Sequence, residues 1–494
     1  MSEYIVSVDQ STQGTKALLF NDEGKLLYRC DLPHEQKINE NGWVSHDPVE
    51  IYRNTVKVVG NLISESGISP EDVVCVGISN QRETALVWDK LTGLPIADAV
   101  VWQCSRGSYI CERESVKSSS EYIREHTGLN LSPYFSAAKI AWVLENTECA
   151  EEKIKEGRIA CGTVDSWLVY KLTGGKEFKT DYSNASRTQL FDIRRLCWDE
   201  KICSLFGVPV DSLPEVCMSD SLFGYTTFEG LFPQPVPIHS VMGDSHGALF
   251  GQGCLTPGTA KATYGTGSSI MMNVGDSVIE SRNGLVSSIA WGMNGSVTYV
   301  LEGNINYTGA VISWLKDDVK LISSASEAES LAVSANPEDT TYIVPAFSGL
   351  GAPYWDDKAT AVISGITRLT GKNEIVRAAL DCIAHQITDV VSAMTEDSGY
   401  EIAVLNADGG PTRNAYLMQF QADMLNSEVS VPQNEELSGI GAAYAAGIAF
   451  GLYSEDRLFS SAVKKTCRPS LREEIREEKR EGWRAAVKLV LGRK

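Results

Sequence analysis

The chain has 494 residues, too many for one compact core, so two domains are expected. Hydrophobic residues make up 43% and charged residues 22%, which is typical of a folded globular protein and excludes a disordered chain. The formal net charge of −20 at pH 7 disfavours nucleic acid and anionic lipid as partners, because so acidic a surface repels them.

The twelve cysteines form no Cys-x-x-Cys pair, and the six histidines form no ligand cluster with them. A disulfide framework or a zinc site is therefore not expected, and the scattered cysteines fit a protein in a reducing compartment. The first residues carry neither a basic segment nor the apolar stretch of a signal peptide. Residues 439–453 are apolar but too short to cross a bilayer, and they predict a closely packed core helix. A cytoplasmic protein without a membrane partner is expected.

The chain opens with three predicted strands. Residues 4–8 are an apolar, β-branched run that ends at Asp9, and the polar turn 10–15 leads into a second strand at 16–20. After a further turn, a third strand follows at 25–29. This pattern predicts a β-meander whose first turn is rich in hydroxyl groups and glycine.

A similar unit opens the second half. A strand at 260–264, a turn at 265–269 and a strand at 270–274 repeat the style of the opening and suggest a duplicated domain. Helices and strands alternate elsewhere in the chain, and a long amphipathic helix is predicted at 373–397. This alternation predicts an α/β protein with buried sheets. The charged segment 468–493 predicts a solvated helix.

The proline-rich stretch 232–237 predicts the domain boundary. The first domain then covers residues 1–242 and the second covers 243–494. The boundary places Gly243 and Asp244 where the two domains meet, and clefts between domains are common ligand sites.

Three turns are candidates for phosphate binding. Asp9 precedes a turn whose N–H and hydroxyl groups can hold phosphate, its carboxylate can hold Mg²⁺, and Lys16 adds a positive charge. The segments Gly265-Thr266-Gly267 and Asp408-Gly409-Gly410 are glycine turns of the kind that let a backbone approach a ligand. Each also fits an ordinary turn, and their matching places in two halves favour the phosphate interpretation.

Asp244 is the candidate general base for phosphoryl transfer, which needs the acceptor hydroxyl oriented and relieved of its proton. The alternative role is a helix N-cap, because a helix of small residues follows. Arg82 and Glu83 follow a strand and offer donors and an acceptor to vicinal hydroxyls, or else form a surface ion pair. Trp102 and Tyr134 offer flat walls for a carbon chain, or else belong to the core.

Longer motifs run through nearly the whole chain. They are Gly42-Trp43-Val44-Ser45-His46-Asp47-Pro48, Ser79-Asn80-Gln81-Arg82-Glu83-Thr84, Val101-Trp102-Gln103-Cys104, Tyr134-Phe135-Ser136, Gly162-Thr163-Val164-Asp165-Ser166-Trp167, Asp181-Tyr182-Ser183-Asn184-Ala185-Ser186-Arg187-Thr188, Tyr264-Gly265-Thr266-Gly267, Gly349-Leu350-Gly351-Ala352-Pro353-Tyr354-Trp355-Asp356 and Asp408-Gly409-Gly410. In these motifs the chain resembles the FGGY family of carbohydrate kinases, and most closely the glycerol kinases within it.

The resemblance implies two RNase H-like domains, as in actin and Hsp70, around a central cleft for ATP and substrate. It implies Mg²⁺ near Asp9, and Asp244 as the base. The residues implied for ATP binding are Thr12, Gln13, Gly14, Lys16, Thr266, Gly309, Ser313, Gly410 and Asn414. Those implied for the acceptor are Arg82, Glu83, Trp102, Tyr134 and Asp244.

Two departures concern the acceptor pocket. Ser245 and His246 stand where glycerol kinases resemble one another in a Gln-Gln pair, and Ser269 stands where they have phenylalanine. Smaller side chains at 245 and 269 imply a roomier pocket, for a tetritol, ketotetrose or ketopentose. A true glycerol kinase and, from another class, an ATP-driven switch like Hsp70 or actin are the alternatives. The sequence leaves open whether the chain forms a homo-oligomer.

Overall fold

The computed structural model describes residues 3–460 and 464–491. The strands are β1 Tyr4–Gln10, β2 Gly14–Phe20, β3 Leu26–Pro33, β4 Lys37–Ile38, β5 Val44–His46, β6 Val73–Asn80, β7 Ala85–Asp89, β8 Leu94–Pro95, β9 Ala99–Val100, β10 Ile159–Thr163, β11 Lys179–Asp181, β12 Phe191–Asp192, β13 Cys197–Trp198, β14 Glu215–Cys217, β15 Gly224–Thr226, β16 Val236–Gly243, β17 Ala260–Tyr264, β18 Ser268–Gly275, β19 Val286–Met293, β20 Ser296–Ile305, β21 Tyr342–Val344, β22 Val362–Ser364, β23 Val404–Asp408, β24 Glu428–Pro432 and β25 Lys464–Cys467. The helices are α1 Pro48–Ser66, α2 Ser108–Cys111, α3 Glu114–Lys117, α4 Ser120–Thr127, α5 Ser136–Asn146, α6 Ala150–Lys155, α7 Val164–Leu172, α8 Tyr182–Ala185, α9 Glu200–Phe206, α10 Asp244–Gly251, α11 Gly309–Asp317, α12 Glu327–Val333, α13 Lys372–Ser398, α14 Ala415–Leu425, α15 Leu437–Phe450, α16 Glu455–Ser460 and α17 Glu473–Leu491.

Two large sheets share one strand order. In the first, an antiparallel meander of β3, β2 and β1 continues into the parallel strands β6 and β16. In the second, the meander β20, β18 and β17 continues into the parallel strands β23 and β24. The common order confirms the predicted duplication and the α/β class.

Parallel strands end together at one edge of each sheet. In the first sheet Asp9 of β1 lies opposite Ser79 of β6, and Gly243 of β16 lies opposite Asn80. In the second, Thr263 of β17 lies opposite Asp408 of β23. This edge is where α/β sheets bind ligands, and it brings the predicted phosphate turns and Asp244 towards one region.

Helices α10 and α15 pack against each other and lie between the two sheets. Gly441 of α15 faces Gly247 of α10 so closely that a Cβ on Gly441 would come within 1.9 Å of the Gly247 carbonyl oxygen. On one side α15 packs against β1, β6 and β16, and Ser7 of β1 donates to the Gly439 carbonyl at 2.8 Å. The predicted core helix is thus confirmed, and the boundary between residues 242 and 243 stays a prediction.

The charged segment near the carboxyl end is not simply a solvated helix. One face of α17 buries Trp483, Val487 and Val490, and the indole of Trp483 donates to Asp389 at 2.7 Å. The expectation failed because the apolar positions are few and widely spaced in a charged sequence, while α13 and β21 supply the surface that covers them. No helix in the described part of the chain is long and apolar enough to cross a membrane.

Candidate active site

A cleft of about 420 Å³ lies where the two sheet edges meet. It brings together six residues predicted from the sequence: Lys16, Asp244, Ser245, Asp408, Gly409 and Gly410. Its remaining lining residues are Arg29, Ala248, Lys261, Thr263, Arg413, Glu435, Glu436, Leu437 and Ser438.

A second pocket of about 600 Å³ adjoins the cleft and shares Gly410 and Arg413 with it. Four predicted nucleotide residues line this pocket: Gly309, Ser313, Gly410 and Asn414. Its apolar lining comes from Ile312, Leu380, Ile383 and Leu417. Apolar walls with a few polar groups suit a flat heterocycle, and a chain of phosphates leaving the pocket past Gly410 would enter the cleft.

The glycine turns of the second half pack tightly. Gly409 has a φ of 95°, and a Cβ there would lie 2.0 Å from the Tyr264 carbonyl oxygen, so only glycine fits this close approach. The Thr266 carbonyl accepts from the N–H of Thr308 at 2.9 Å, which ties the turn to the start of α11. The side chain of Thr266 is exposed, which leaves its hydroxyl free to meet a ligand.

The first turn of the chain, at 11–14, joins the acceptor residues. Ser11 donates its N–H to the Gly14 carbonyl at 2.8 Å, and the Thr12 hydroxyl accepts from the Trp102 indole at 2.9 Å. The Gln13 side chain is exposed. A predicted phosphate residue and a predicted acceptor wall are therefore in direct contact.

Asp9 is a buried carboxylate at the end of β1. Its Oδ1 accepts from the Ser79 hydroxyl at 3.0 Å, and its Oδ2 lies 4.0 Å from Lys16 Nζ. Burial raises the pKa of Asp9 to about 6, which Lys16 partly opposes. Lys16 itself donates to Glu436 at 2.6 Å. Among the described residues, Asp9 thus has only the long ion pair with Lys16, and such a hard oxygen ligand fits Mg²⁺.

Asp244 lies between the cleft and the buried charges behind it. It is the first residue of α10 and its Oδ1 accepts from Ser245 N–H at 2.6 Å, whereas the N-cap position belongs to Gly243. The alternative role of Asp244 as the helix N-cap is therefore wrong, because Asp244 lies one position inside the helix. Asp244 Oδ1 lies 3.4 Å from Arg82 Nε, with a third of its side chain exposed. Burial raises the pKa of Asp244, and Arg82 opposes the rise.

Arg82 and Glu83 are buried, so the surface ion pair is excluded. Arg82 donates from both Nη atoms to the two carboxylate oxygens of Glu302, at 3.0 Å each. Arg187 donates from Nε to Glu83 at 2.6 Å and lies 3.0 Å from Glu302.

Glu83 also has a positive φ of 59°, an unusual backbone state for a residue other than glycine, and such states cluster at functional sites.

Two aromatic side chains form the predicted wall for the acceptor. The rings of Trp102 and Tyr134 meet edge to face with centroids 5.5 Å apart. Ser269 is partly buried, and its hydroxyl donates to Glu302 at 3.4 Å. Ser269 therefore lies beside the Arg82–Glu302 pair, while Ser245 lines the cleft next to Asp244.

Sequence reasoning missed several residues of this region. Glu302 and Arg187 complete the buried charge network, and Lys261 lies on the floor of the cleft. A lone lysine within the apolar run 260–264 was a usable signal, because a buried strand rarely carries an ammonium group. No local pattern marked Glu302, since its partners lie far away in the chain.

A separate group of metal-type ligands comprises His126, Asp192 and Asp199. Asp192 accepts from His126 at 2.8 Å, and Asp199 accepts from Tyr122 at 3.1 Å and from the N–H of Ile202. Hydrogen bonds within the protein thus satisfy these carboxylates, and we interpret the group as structural.

Two α/β lobes of one strand order around a shared cleft define a nucleotide-dependent fold of the actin and Hsp70 type. Family models for the N-terminal and C-terminal domains of the FGGY family of carbohydrate kinases match residues 4–251 and 260–450. The chain belongs to this family.

Close relatives agree with this assignment. Glycerol kinase 2 of Thermotoga maritima is 45% identical over 492 residues, covering 99% of each chain. The crystal structure of Plasmodium falciparum glycerol kinase with ADP matches with a TM-score of 0.94 and 36% identity, over 99% of this chain and 98% of that one. A xylulose kinase of Lactobacillus acidophilus, 18% identical with a TM-score of 0.88, covers 99% of each chain and shares the fold.

The predicted family, fold class and enzyme class are confirmed. The chain is an ATP-dependent carbohydrate kinase that acts on a small molecule, and the alternative of an ATP-driven switch is wrong.

Proposed function

We propose that this kinase transfers the γ-phosphate of ATP to a terminal hydroxyl of a small polyol or ketose, with Asp244 as the general base. The observation that carries the proposal is the position of Asp244, which lines the cleft on one side and lies 3.4 Å from Arg82 on the other. A carboxylate in this position can meet both the acceptor hydroxyl and the terminal phosphate.

The nucleotide occupies both cavities in this proposal. The adenine ring lies in the 600 Å³ pocket near Ser313 and Asn414, and the phosphates pass Gly410 into the 420 Å³ cleft. Thr266 from the second lobe and Thr12, Gln13 and Gly14 from the first contact the phosphates. Turns from both lobes would then hold one nucleotide, as the duplicated fold allows.

The acceptor lies against Trp102 and Tyr134, with its hydroxyl groups on Arg82 and Glu83. Asp244 takes the proton of the terminal hydroxyl while that oxygen forms a bond to the γ-phosphorus and the bond from phosphorus to the bridging oxygen of ADP breaks. The raised pKa of Asp244 suits this step, because a base with a pKa nearer neutrality accepts a proton more readily.

Asp9 would hold Mg²⁺ together with phosphate oxygens. When bound, the ion neutralises charge on the phosphates and orients them. The chain's own contribution is to place one buried carboxylate, held by Ser79, at the end of β1 beside the first phosphate turn.

We further propose that the acceptor is longer than three carbons. Ser269 lies next to Glu302, the partner of Arg82, and a serine side chain fills little space there. Its hydroxyl and the Asn304 amide, which donates to Glu302 at 3.2 Å, make the surface polar. Glycerol is the second candidate, because the relatives of 42–46% identity are named glycerol kinases.

A panel of acceptors tests both the proposed phosphoryl transfer and the proposed length of the acceptor. Purified protein with Mg²⁺ and ATP is given glycerol, a tetritol, a ketotetrose or a ketopentose, and acceptor-dependent ADP release is measured. We expect turnover with several acceptors and the highest kcat/KM for one with four or five carbons. Absence of turnover with every acceptor would refute the proposed transfer to a small polyol or ketose, and a highest kcat/KM for glycerol would refute only the larger substrate.

A further inference from the structure

Among the described residues that line the cleft, Lys261 is the basic side chain without a carboxylate partner. Four basic side chains line it, and three have a carboxylate partner: Lys16 and Arg29 pair with Glu436, and Arg413 lies 2.6 Å from Glu435. Lys261 has no carboxylate within 4.0 Å among the residues that the structure describes. The cleft therefore contains one ammonium group whose charge the protein leaves uncompensated at contact distance.

This ammonium group is fully buried yet lines the cleft. Lys261 and Thr263 lie two residues apart on β17 and so share one face of the strand. Lys261 Nζ donates to the Thr263 hydroxyl at 2.9 Å, and that hydroxyl donates to Asp408 at 3.2 Å. One neutral partner leaves two of the three ammonium protons without an acceptor among the described residues.

Burial of an unpaired charge costs free energy unless a ligand supplies the opposite charge. Burial lowers the pKa of Lys261, and nearby carboxylates, Asp408 first among them, oppose the change. An anionic group in the cleft would offset the cost of burial and satisfy the free protons. Phosphate oxygens are such acceptors, and an ammonium group binds them as a point charge.

We infer that Lys261 is a further catalytic residue, whose ammonium group contacts the γ-phosphate of ATP on the floor of the cleft. This inference rests on the proposed function for the position of the nucleotide. Lys261 exchanges no proton in the step: it stabilises the negative charge on the equatorial oxygens of the phosphoryl group while the acceptor oxygen bonds to phosphorus and ADP leaves.

The test compares Lys261→Met, which removes the charge but keeps an unbranched side chain one atom shorter, with Lys261→Arg, which keeps the charge. The matched control is Lys464→Met, because Lys464 binds the Gln252 carbonyl and Asn406 and does not line the cleft. The readouts are kcat, the KM of the acceptor, and the Kd values of ADP and of the β,γ-imido analogue of ATP. The two Kd values need no acceptor.

Loss of a preorganised donor to a developing oxyanion costs about 10²–10³ in kcat, which is the loss expected for Lys261→Met with little change in the acceptor KM. The same variant should weaken the ATP analogue about tenfold and leave ADP unchanged, because only the γ-phosphate contact is lost. Lys261→Arg should retain the preference for the ATP analogue, and Lys464→Met should match the wild type.

A Lys261→Met protein with wild-type kcat and an unchanged ratio of the two Kd values would overturn the inference. If this variant no longer binds ADP, Lys261→Gln is judged by the same two criteria. Failure of the wild type to phosphorylate any acceptor would refute the proposed function, whereas the comparison of Kd values would still decide whether Lys261 contacts the γ-phosphate.

Discussion

Arg82 and Glu302 form a bidentate ion pair between the lobes, with both Nη–Oε distances at 3.0 Å and a separation of 220 positions in the chain. Glu302 is fully buried and also faces Arg187. The pair turns the remaining Nε of Arg82 towards Asp244. The ion pair thus joins the two lobes and orients the guanidinium group beside the candidate base.

Replacing Glu302 by Gln should destabilise the protein by about 3–5 kcal/mol, because two buried arginines would lose their shared anionic partner. The free energy of unfolding in urea measures this. Glu280→Gln is the control, since Glu280 pairs with Arg194 at the surface and should cost at most about 1 kcal/mol. Equal effects of the two substitutions would show that the buried network does not stabilise the fold.

Replacing Asp244 by Asn should lower kcat by about 10²–10⁴-fold, because the amide cannot accept the proton of the acceptor hydroxyl. The Kd of ATP should stay within about threefold of the wild type, since the loss belongs to the reaction rather than to nucleotide binding. Steady-state kinetics and calorimetric titration measure the two effects. Asp276→Asn, at an exposed position, is the control. Near wild-type turnover by the Asp244 variant would exclude it as the base.

Replacing Asp9 by Asn should stabilise the protein at neutral pH. Burial raises the pKa of Asp9 from 3.8 to about 6, a difference worth about 3 kcal/mol. The pKa of Asp9 is higher in the folded protein than in the unfolded chain, so ionisation of Asp9 destabilises the fold. This penalty is absent below pH 3.8, grows as the pH rises and is complete above pH 6. The gain from Asp9→Asn should therefore approach about 3 kcal/mol at pH 7.5.

At pH 5 the gain should fall to about half, because Asp9 is then largely protonated in the folded state. Urea unfolding at the two pH values measures both gains. Asp22→Asn, in the exposed turn after β2, should give the same small effect at each. A gain for Asp9→Asn that does not change with pH would contradict the assignment of the shifted titration to this carboxyl.

Replacing Ser269 by Phe should shift acceptor preference towards shorter chains. The ring would fill the space next to Glu302, beside the arginine proposed to hold the acceptor. One methylene in such a pocket changes kcat/KM by about 10–200-fold, so the ratio of glycerol to a tetritol should rise at least tenfold. Ser277→Phe, at the surface, should leave the ratio unchanged. An unchanged ratio for Ser269→Phe would place the acceptor elsewhere.

Local patterns in the sequence were enough to predict strands and turns and part of the candidate site. The apolar run ending at Asp9 forms a strand and the turn at Asp408-Gly409-Gly410 follows one, because strand periodicity and glycine turns are encoded by neighbouring residues. The similarity of the two opening units also pointed to the duplication, which the shared strand order confirms.

Contacts between distant segments were decided only by the tertiary structure. The sequence offered Arg82 and Glu83 as a pair for the acceptor, but the strongest partner of Arg82 is Glu302, and that of Glu83 is Arg187. Lys261 gained its place in the cleft because β17 lies beside β23, which brings Asp408 to Thr263. Burial and charge pairing depend on which surfaces the fold brings together, and the spacing of residues along one strand carries no information about them.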